Sequence, residues 1–561
     1  MNLKILLQKG YFPKELPPPF NTDLFAAKSG IVGRKWRSYL ASKEVALPGE
    51  SGKDAERRFY EDYTYKYGSS GYLCFSLPKG IHTRRQLGIP NPKQYHDLCS
   101  LAVKNWSELK QVYNKSDFSA SNPVEKDATR AVRTKSKTFN EFKFKLIEKS
   151  FNRQFELRID ISQFYPTIYT HSIAWAIMGK DPAKKYFRIK NKTKNKAAWT
   201  ALVSTDILAK QYAFCEQLDT LIRNCQERQS VGFLIGPDIS FVLAEIIGNR
   251  IDVDLKEKLN TLDYSCIRYY DDYYFYINSY GDAEKILKVF QSVLRTYNLE
   301  ANEGKIKIKG LPFSFQPRWV SVLASFKFKE VNKHEILNFF SLIFQLVDEN
   351  QKDSNWIIAH ALKRFEYGNN RIPNESWETF LSLLVKTMLT DATNLDLFLK
   401  IVLSYKSRLT KSSKSKISEL LHSIIKINVN VNHTFEVSWA LWILKTLNLK
   451  CDNVILSTIL NGDDHLPKLI CLDLMESKLY KSKKPALTPI TLNLNENDLF
   501  TDKWLYTYEA IKKGWLTPSS DIIGGHEYFK ILADLEIEFY DSTNQVVPEF
   551  DSDDYRFLHL K

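Results

Sequence analysis

Ser265–Asn278 (SCIRYYDDYYFYIN) sets two carboxylates, Asp271 and Asp272, side by side between two apolar, aromatic-rich runs, Cys266–Tyr270 and Tyr273–Ile277. Both flanks are β-prone, and Asp-Asp between them reads as the tight turn of a hairpin. Adjacent carboxylates repel one another, and a divalent cation relieves that repulsion. Hard oxygen ligands suit Mg²⁺, with Mn²⁺ as its substitute. A solvated Asp-Asp turn without a metal is the alternative. A third carboxylate bears on the choice. In Phe155–Tyr169 (FELRIDISQFYPTIY), Leu157, Ile159 and Ile161 alternate around Asp160, as in a strand that carries an acid near its end. Two-metal phosphoryl-transfer sites draw carboxylates from separate strands and hold cations roughly 3.5–4 Å apart. Asp160 and Asp271 meet that requirement if their strands are neighbours in one sheet.

The rest of the chain must supply that sheet and its support. With 561 residues, 44% hydrophobic and 26% charged, it has the composition of a soluble globular protein of two or three domains. A net charge of +14 favours a polyanionic partner, although a Lys-rich composition by itself gives the same sign. The 29 Tyr and 34 Phe are divided between core packing and stacking platforms for bases. Seven Cys without metal-like spacing read as reduced core residues of a cytosolic protein. No apolar run approaches the ~20 residues of a membrane span. The opening segment, interrupted by Lys and Pro, reads against a secretory signal.

In chain order, residues 1–60 form an N-terminal extension with a Pro-rich turn and a basic helical candidate, Arg34–Lys43. Leu77–Tyr95 clusters basic residues before a short extended Leu-Gly-Ile-Pro segment ended by Pro90 and Pro92. Residues 96–150 read as helices ending in the basic tract Lys126–Lys149, which includes Arg130, Arg133, Lys135, Lys137, Lys143 and Lys145. Such a run suits a solvated helix face or a nucleic-acid backbone. Lys180–Lys196 reads as a mobile basic loop that touches RNA or DNA, and helical pattern returns at Ala201–Cys225. Gly232–Arg250 begins with a glycine turn and enters a helix, Ile239–Ile251, capped by Asp238 or Ser240. Gly236 lets the backbone approach a base pair or ribose closely. Asp282–Tyr297 reads as an amphipathic helix and Leu299–Lys309 as a strand carrying Lys305. Beyond Val331, six segments show apolar residues at helical spacing: Asn338–Leu346, Trp377–Leu389, Leu395–Leu403, Ile417–Ile427, Phe435–Leu447 and Trp504–Lys512. Linkers such as Lys406–Lys416 separate them, and together they suggest a HEAT-like stack of helix pairs. No metalloprotease or nuclease signature occurs there, and the tail Glu549–Asp554 is acidic.

The order DISQFY (Asp160–Tyr165), GFLIGPDISFVLAE (Gly232–Glu245), RYYDD (Arg268–Asp272) and ANEGKIK (Ala301–Lys307) resembles the palm of a reverse transcriptase. FYPTIYTHSIAW (Phe164–Trp175) and the Ile-Gly-Pro-Asp run are similar, more narrowly, to the bacterial antiphage reverse transcriptases of the abortive-infection (AbiK-like) and defence-associated group. Ile235 stands where many reverse transcriptases have Gln, a departure that matches the abortive-infection branch. The resemblance covers about residues 75 to 310. It implies an α+β fold, with an antiparallel palm sheet and fingers over residues 61–320 and an α-helical HEAT-like repeat domain over 321–561. Asp160 and Asp271 would ligate both metals, with Asp272 in support and the Ile161 carbonyl a further ligand. Arg85, helped by Arg84 and Lys79, would hold the triphosphate, because the planar guanidinium meets phosphate oxygens bidentately. A surface basic loop is the alternative. Tyr165 would exclude a 2′-hydroxyl, or else it is a core Tyr. Lys305 would protonate the leaving pyrophosphate, or else it is a surface Lys. Residues Pro312–Ser325 would supply a primer-gripping hairpin.

The implied activity is a Mg²⁺-dependent DNA polymerase of reverse-transcriptase type in antiphage defence, protein-primed and untemplated. The alternatives are RNA-templated synthesis on a non-coding RNA and a catalytically silent nucleic-acid-binding scaffold. The implied partners are dNTPs and nucleic acid (a DNA product, or a non-coding RNA) with no membrane, together with a second copy or a partner defence protein. The implied location is the bacterial cytoplasm.

Overall fold

The computed structural model describes residues 1–544 apart from 49, 80–82, 126–129, 137–138, 194, 369 and 483. Lys126 and Lys137 of the basic tract, Lys194 of the basic insertion and the tail Glu549–Asp554 therefore lie outside the described residues. Eight strands occur among the described residues: β1 (Tyr72–Lys79), β2 (Thr83–Pro90), β3 (Pro123–Glu125), β4 (Val132–Thr134), β5 (Phe155–Asp160), β6 (Ser265–Tyr269), β7 (Asp272–Ile277) and β8 (Lys307–Gly310). The chain divides into two compact units. One comprises Met1–Phe12, Thr22–Tyr72 and Gly88–Phe315; the other comprises Pro13–Asn21, Leu73–Leu87 and Gln316–Lys561. No helix among the described residues is long and apolar enough to cross a membrane.

The first unit is built on an antiparallel sheet of order β6-β7-β5-β8. Side chains alternate between its faces because the strand period is two. Leu157 and Ile159 lie opposite Phe275 and Tyr273 and form the buried face. Phe290, from the helix Tyr280–Thr296, closes over this face, its ring 4.9 Å from that of Tyr273. The other face carries Glu156, Arg158 and Asp160, opposite Tyr276, Tyr274 and Asp272. On this face the Tyr276 hydroxyl donates to Glu156 at 2.9 Å and the Arg158 guanidinium lies over the Tyr274 ring.

Four expectations are corrected here. The helix expected at Ile239–Ile251 runs from Asp238 to Lys258, and no side chain caps it. Asp238 instead pairs with Arg130 and accepts from the Val132 N–H at 3.0 Å. Arg130 also donates to the Gly236 and Phe12 carbonyls, both at 3.0 Å, so this member of the basic tract serves internal packing. Lys180–Lys196 is no loop: it forms the helix Lys180–Lys192 and the start of Lys196–Thr205. Ala183, Tyr186 and Ile189 recur at helical spacing, and Tyr186 packs with Ala209 and Tyr212 of the helix Ile207–Asn224. Lys305 ends a short 3₁₀ turn, Glu303–Lys305, and the strand begins only at Lys307. Pro312–Ser325 holds no strand; it ends in the helix Arg318–Ser325.

Leu-Gly-Ile-Pro forms the end of β2, the second strand of a two-stranded sheet with β1. Pro92 follows in the first turn of the helix Pro92–Lys104, where a missing N–H costs nothing, and Asn91 caps that helix. A Cβ at Gly88 would sit 2.9 Å from Leu234 Cδ2, so only glycine lets β2 lie this close to the Leu234–Gly236 loop. That approach is fixed by the Gly88 N–H, which donates to the Ile235 carbonyl at 2.8 Å.

The second unit is helical beyond Gln316. The apolar periodicities materialise as Lys333–Glu349, Trp377–Thr390, Leu395–Ser404, Lys411–Asn428, Thr434–Thr446 and Trp504–Lys512. Lys411–Lys416, expected to be linker, is the first turn and a half of a helix that Thr410 caps. Many of the Phe residues are core here: Phe339, Phe340, Phe365 and Phe380 pack ring against ring, all fully buried.

Candidate active site

The hairpin between β6 and β7 turns on two residues, Tyr270 and Asp271, with Tyr269 paired to Asp272 across it. Tyr270 has φ +53°, a conformation that a bulky side chain seldom adopts. The turn places Asp271 at its tip and Asp272 on the first position of β7. Because β7 pairs with β5, Asp272 lies directly opposite Asp160. The Ile161 N–H donates to the Asp271 carbonyl at 3.1 Å, which locks the turn to the end of β5. One carboxylate oxygen from each of Asp160, Asp271 and Asp272 lies within 4.8 Å of the others. Asp160 is buried, and the other two are half-buried. Three hard oxygen donors at this spacing fit a divalent cation.

The segment after Leu299 closes one side of the site. The Asn302 N–H donates to the Asp160 carbonyl at 2.8 Å, and its side-chain amide lies 3.3 Å from Asp160 Oδ1. Lys305 Nζ stands 3.2 and 3.3 Å from the two Asp160 oxygens. Asn302 was not singled out in the sequence, although it lies in the same ANEGKIK run as Lys305.

Tyr165 lies on the single helical turn Phe164–Thr167 that follows β5, entered through Gln163 at φ +44°. The Tyr165 carbonyl accepts from the Phe233 N–H at 2.8 Å, which brings the Gly232–Gly236 loop beside it. Gly236 has φ +122°, which only glycine adopts freely. Ile161, the residue after Asp160, is buried and bridged to Ala301.

Lys79, Arg84 and Arg85 lie on β1 and β2, in segments belonging to the second unit. There Arg84 is committed: its guanidinium donates to Glu436 Oε1 at 2.9 Å and Oε2 at 2.7 Å, and to the Ser76 carbonyl at 3.0 Å. Arg84, expected to help hold a triphosphate, is thus paired with a carboxylate within the second unit. Lys79 is exposed and Arg85 half-buried.

A buried ionic cluster beneath the turn escaped sequence reasoning altogether. Arg268, fully buried, donates to both oxygens of Glu245 at 2.9 and 3.0 Å and to both oxygens of Asp252 at 2.9 Å. Burial opposes the Arg268 charge, but Asp252 and Glu245 hold its proton more firmly than usual. Burial likewise raises the Asp252 carboxyl, against the pull of Arg268. A Cβ at Gly248 would fall 2.8 Å from Arg268 Nη1, so the helix needs glycine where the guanidinium crosses it. The available signal was Arg268 three residues before Asp271 and, about two and four turns into the helix Asp238–Lys258, Glu245 and Asp252.

No protein-family profile matches the chain, and no curated protein does. Among solved structures, apo telomerase from Candida tropicalis is similar at 12% identity, over 72% of this chain and 71% of that one, with a TM-score of 0.31. Candida tropicalis telomerase in complex with a TWJ fragment of telomeric RNA gives 14% identity, 73% and 68% coverage and a TM-score of 0.28. The corresponding complex from Candida albicans gives 11%, 62%, 66% and 0.25.

Proposed function

We propose that this chain is a Mg²⁺-dependent DNA polymerase of reverse-transcriptase type that acts in bacterial antiphage defence by protein-primed, untemplated synthesis. The observation that carries the reading is the convergence of Asp160, Asp271 and Asp272 from two adjacent antiparallel strands, with Lys305 against Asp160. Asp160 and Asp271 would hold the cations, with Asp272 and the Ile161 carbonyl in support. Bound there, Mg²⁺ would activate the attacking hydroxyl and neutralise charge building on the leaving oxygens. The attacking hydroxyl would release its proton to solvent, its oxygen would form a bond to the α-phosphorus of a dNTP, the bond from that phosphorus to the α–β bridging oxygen would break, and pyrophosphate would leave. Lys305 would supply its proton. Tyr165 would lie under the sugar, and Gly236 would admit the nascent base pair.

The defence role is supported by the likeness of FYPTIYTHSIAW and Ile-Gly-Pro-Asp to the abortive-infection group. Self-priming is supported by Ile235, which replaces the usual Gln of templated relatives. The test is incubation of the purified protein with dNTPs and Mg²⁺, followed by denaturation. DNA that stays on the protein and is removed by nuclease is the expected result. Product that separates fully, and forms only with an RNA template and a free 3′ end, would overturn self-priming in favour of templated reverse transcription. No incorporation under either condition would leave the chain a silent nucleic-acid-binding scaffold.

A further inference from the structure

We propose that Arg268 is a positioning residue: through its buried cluster it holds the Tyr270 peptide in its left-handed conformation and thereby fixes where the Asp271 carboxylate stands relative to Asp160. The inference rests on reading the three carboxylates as a cation site. Both backbone polar groups of Tyr270 are taken by side chains. Its carbonyl accepts from Arg268 Nη1 at 2.8 Å, and its N–H donates to Ser121 Oγ at 2.8 Å. These two side chains share one anchor, because Ser121 Oγ and Arg268 Nη1 each lie 2.9 Å from Glu245 Oε1. Ser119 Oγ and the Asn249 amide complete the shell of Glu245 at 3.1 and 3.3 Å. Asp252, which holds the other side of the guanidinium, also accepts from the Tyr273 hydroxyl at 2.7 Å, so both hairpin strands are tied to one helix beside the turn.

The backbone around Arg268 adds to the grip. Its N–H donates to the Phe118 carbonyl at 2.7 Å, and its carbonyl accepts from the Ala120 N–H at 2.8 Å. The segment that presents Ser121 is thus laced to the strand that presents Arg268. A strained φ at a bulky residue persists only where its surroundings over-determine it, and here Arg268, Ser121 and their shared anchor Glu245 do so. Arginine is required because one planar fork must reach Glu245, Asp252 and the Tyr270 carbonyl at once, which a lysine ammonium cannot. None of Asp160, Asp271 and Asp272 belongs to the cluster. Its effect must pass through the position of Asp271.

The test is Mn²⁺ affinity, measured by electron paramagnetic resonance titration of the full chain without nucleotide, for wild type, Ser121→Ala, Gly248→Ala and Arg268→Lys. Ile247→Val, a truncation on the same helix outside the cluster, controls for general loosening. Partners that orient ligating groups typically change metal affinity about 10–100-fold, so a weakening of that size is expected in the three cluster variants and not in Ile247→Val. Circular dichroism should show the folded chain, and excess Mn²⁺ should restore saturation. Unchanged Mn²⁺ affinity in folded Ser121→Ala and Arg268→Lys would overturn the proposal, as would an equal loss in Ile247→Val. If Gly248→Ala fails to fold, the other two variants carry the result. Wild type that binds no Mn²⁺ would overturn both the cation site and this proposal. Wild type that binds Mn²⁺ without incorporating dNTPs would overturn only the polymerase reading, and the affinity series would still decide the role of Arg268.

Discussion

Asp160 and Asp272 are register partners on the adjacent antiparallel strands β5 and β7. Like charges directly opposite one another destabilise a sheet, and Asp271 one residue away adds a third. A cation stands against them, Lys305 beside Asp160, whereas Arg158, two residues back on the same face, is paired with Glu156. A divalent ion held by the three carboxylates would remove the remaining repulsion.

Asp271→Asn is expected to lower dNTP incorporation at least about a thousandfold while leaving the circular dichroism spectrum intact. Metal assistance is worth several kcal/mol, and each ~1.4 kcal/mol is tenfold in rate. Single-turnover incorporation in Mg²⁺ measures it. A rate near wild type would mean the site is misassigned.

Replacing Lys305 by Ala should reduce kcat roughly 10²–10⁴-fold, the range of a positioned proton donor, with little change in KM for dNTP. The decisive readout is the pH profile: the alkaline limb of kcat should vanish in the variant. A variant that keeps that limb returns Lys305 to the role of counter-ion for Asp160.

Tyr165→Ala is expected to relax sugar selection, because a ring that excludes a 2′-hydroxyl acts by contact alone. The ratio of kcat/KM for dNTP over rNTP should fall at least about tenfold, the scale of ~1.4 kcal/mol. An unchanged ratio would make Tyr165 a packing residue for the turn after β5.

Arg84 and Arg85 should separate cleanly. Arg84→Ala leaves Glu436, 7% exposed, without its cation, and breaking a buried pair in this way costs about 3–5 kcal/mol. Its melting temperature should drop while KM for dNTP stays put. Arg85→Ala should do the reverse, and steady-state kinetics beside calorimetry would show it. A raised KM in Arg84→Ala without loss of stability would restore it to the triphosphate.

Glu509 sets a pH dependence in the helical unit. It is fully buried, accepts from the Phe539 N–H at 2.6 Å, and burial pushes its carboxyl up to about 7. Between its ordinary value and about 7, the folded state keeps a proton that the unfolded state has lost. Its contribution is therefore present at low pH and is lost as pH rises towards 7, on the order of 3 kcal/mol. Glu509→Gln keeps an acceptor for Phe539 without the ionisation. Relative to wild type it should stabilise the chain at pH 8 and change little at pH 4. The difference between the two denaturation curves isolates Glu509 from Asp464 and His465, whose burial shifts them across the same range. A difference independent of pH would contradict the assignment.

Much of the site was legible in the chain itself, because it rests on local physics. Alternation around Asp160 marks β5, the aromatic runs about Asp271 mark β6 and β7, and the helical periodicities beyond Val331 appear within a few residues of their expected bounds. Each depends on neighbours within one strand or a few helical turns. Charge, by contrast, finds its partner through space. Arg84 looked like a phosphate ligand and meets Glu436, 352 residues away in the sequence. Asp238 looked like a helix cap and meets Arg130. Lys180–Lys192, polar enough to read as a loop, is held helical by the few apolar residues that find Ala209 and Tyr212. Arg268 had no reading of its own until Glu245, Asp252 and the gap at Gly248 closed around it. Sequence alone determined which residues could ligate a cation and which of the strongly periodic segments would be strands or helices. The tertiary structure decided which cations were already spent on buried carboxylates, because desolvation makes an unpaired buried charge intolerable and only the fold determines which charges are buried.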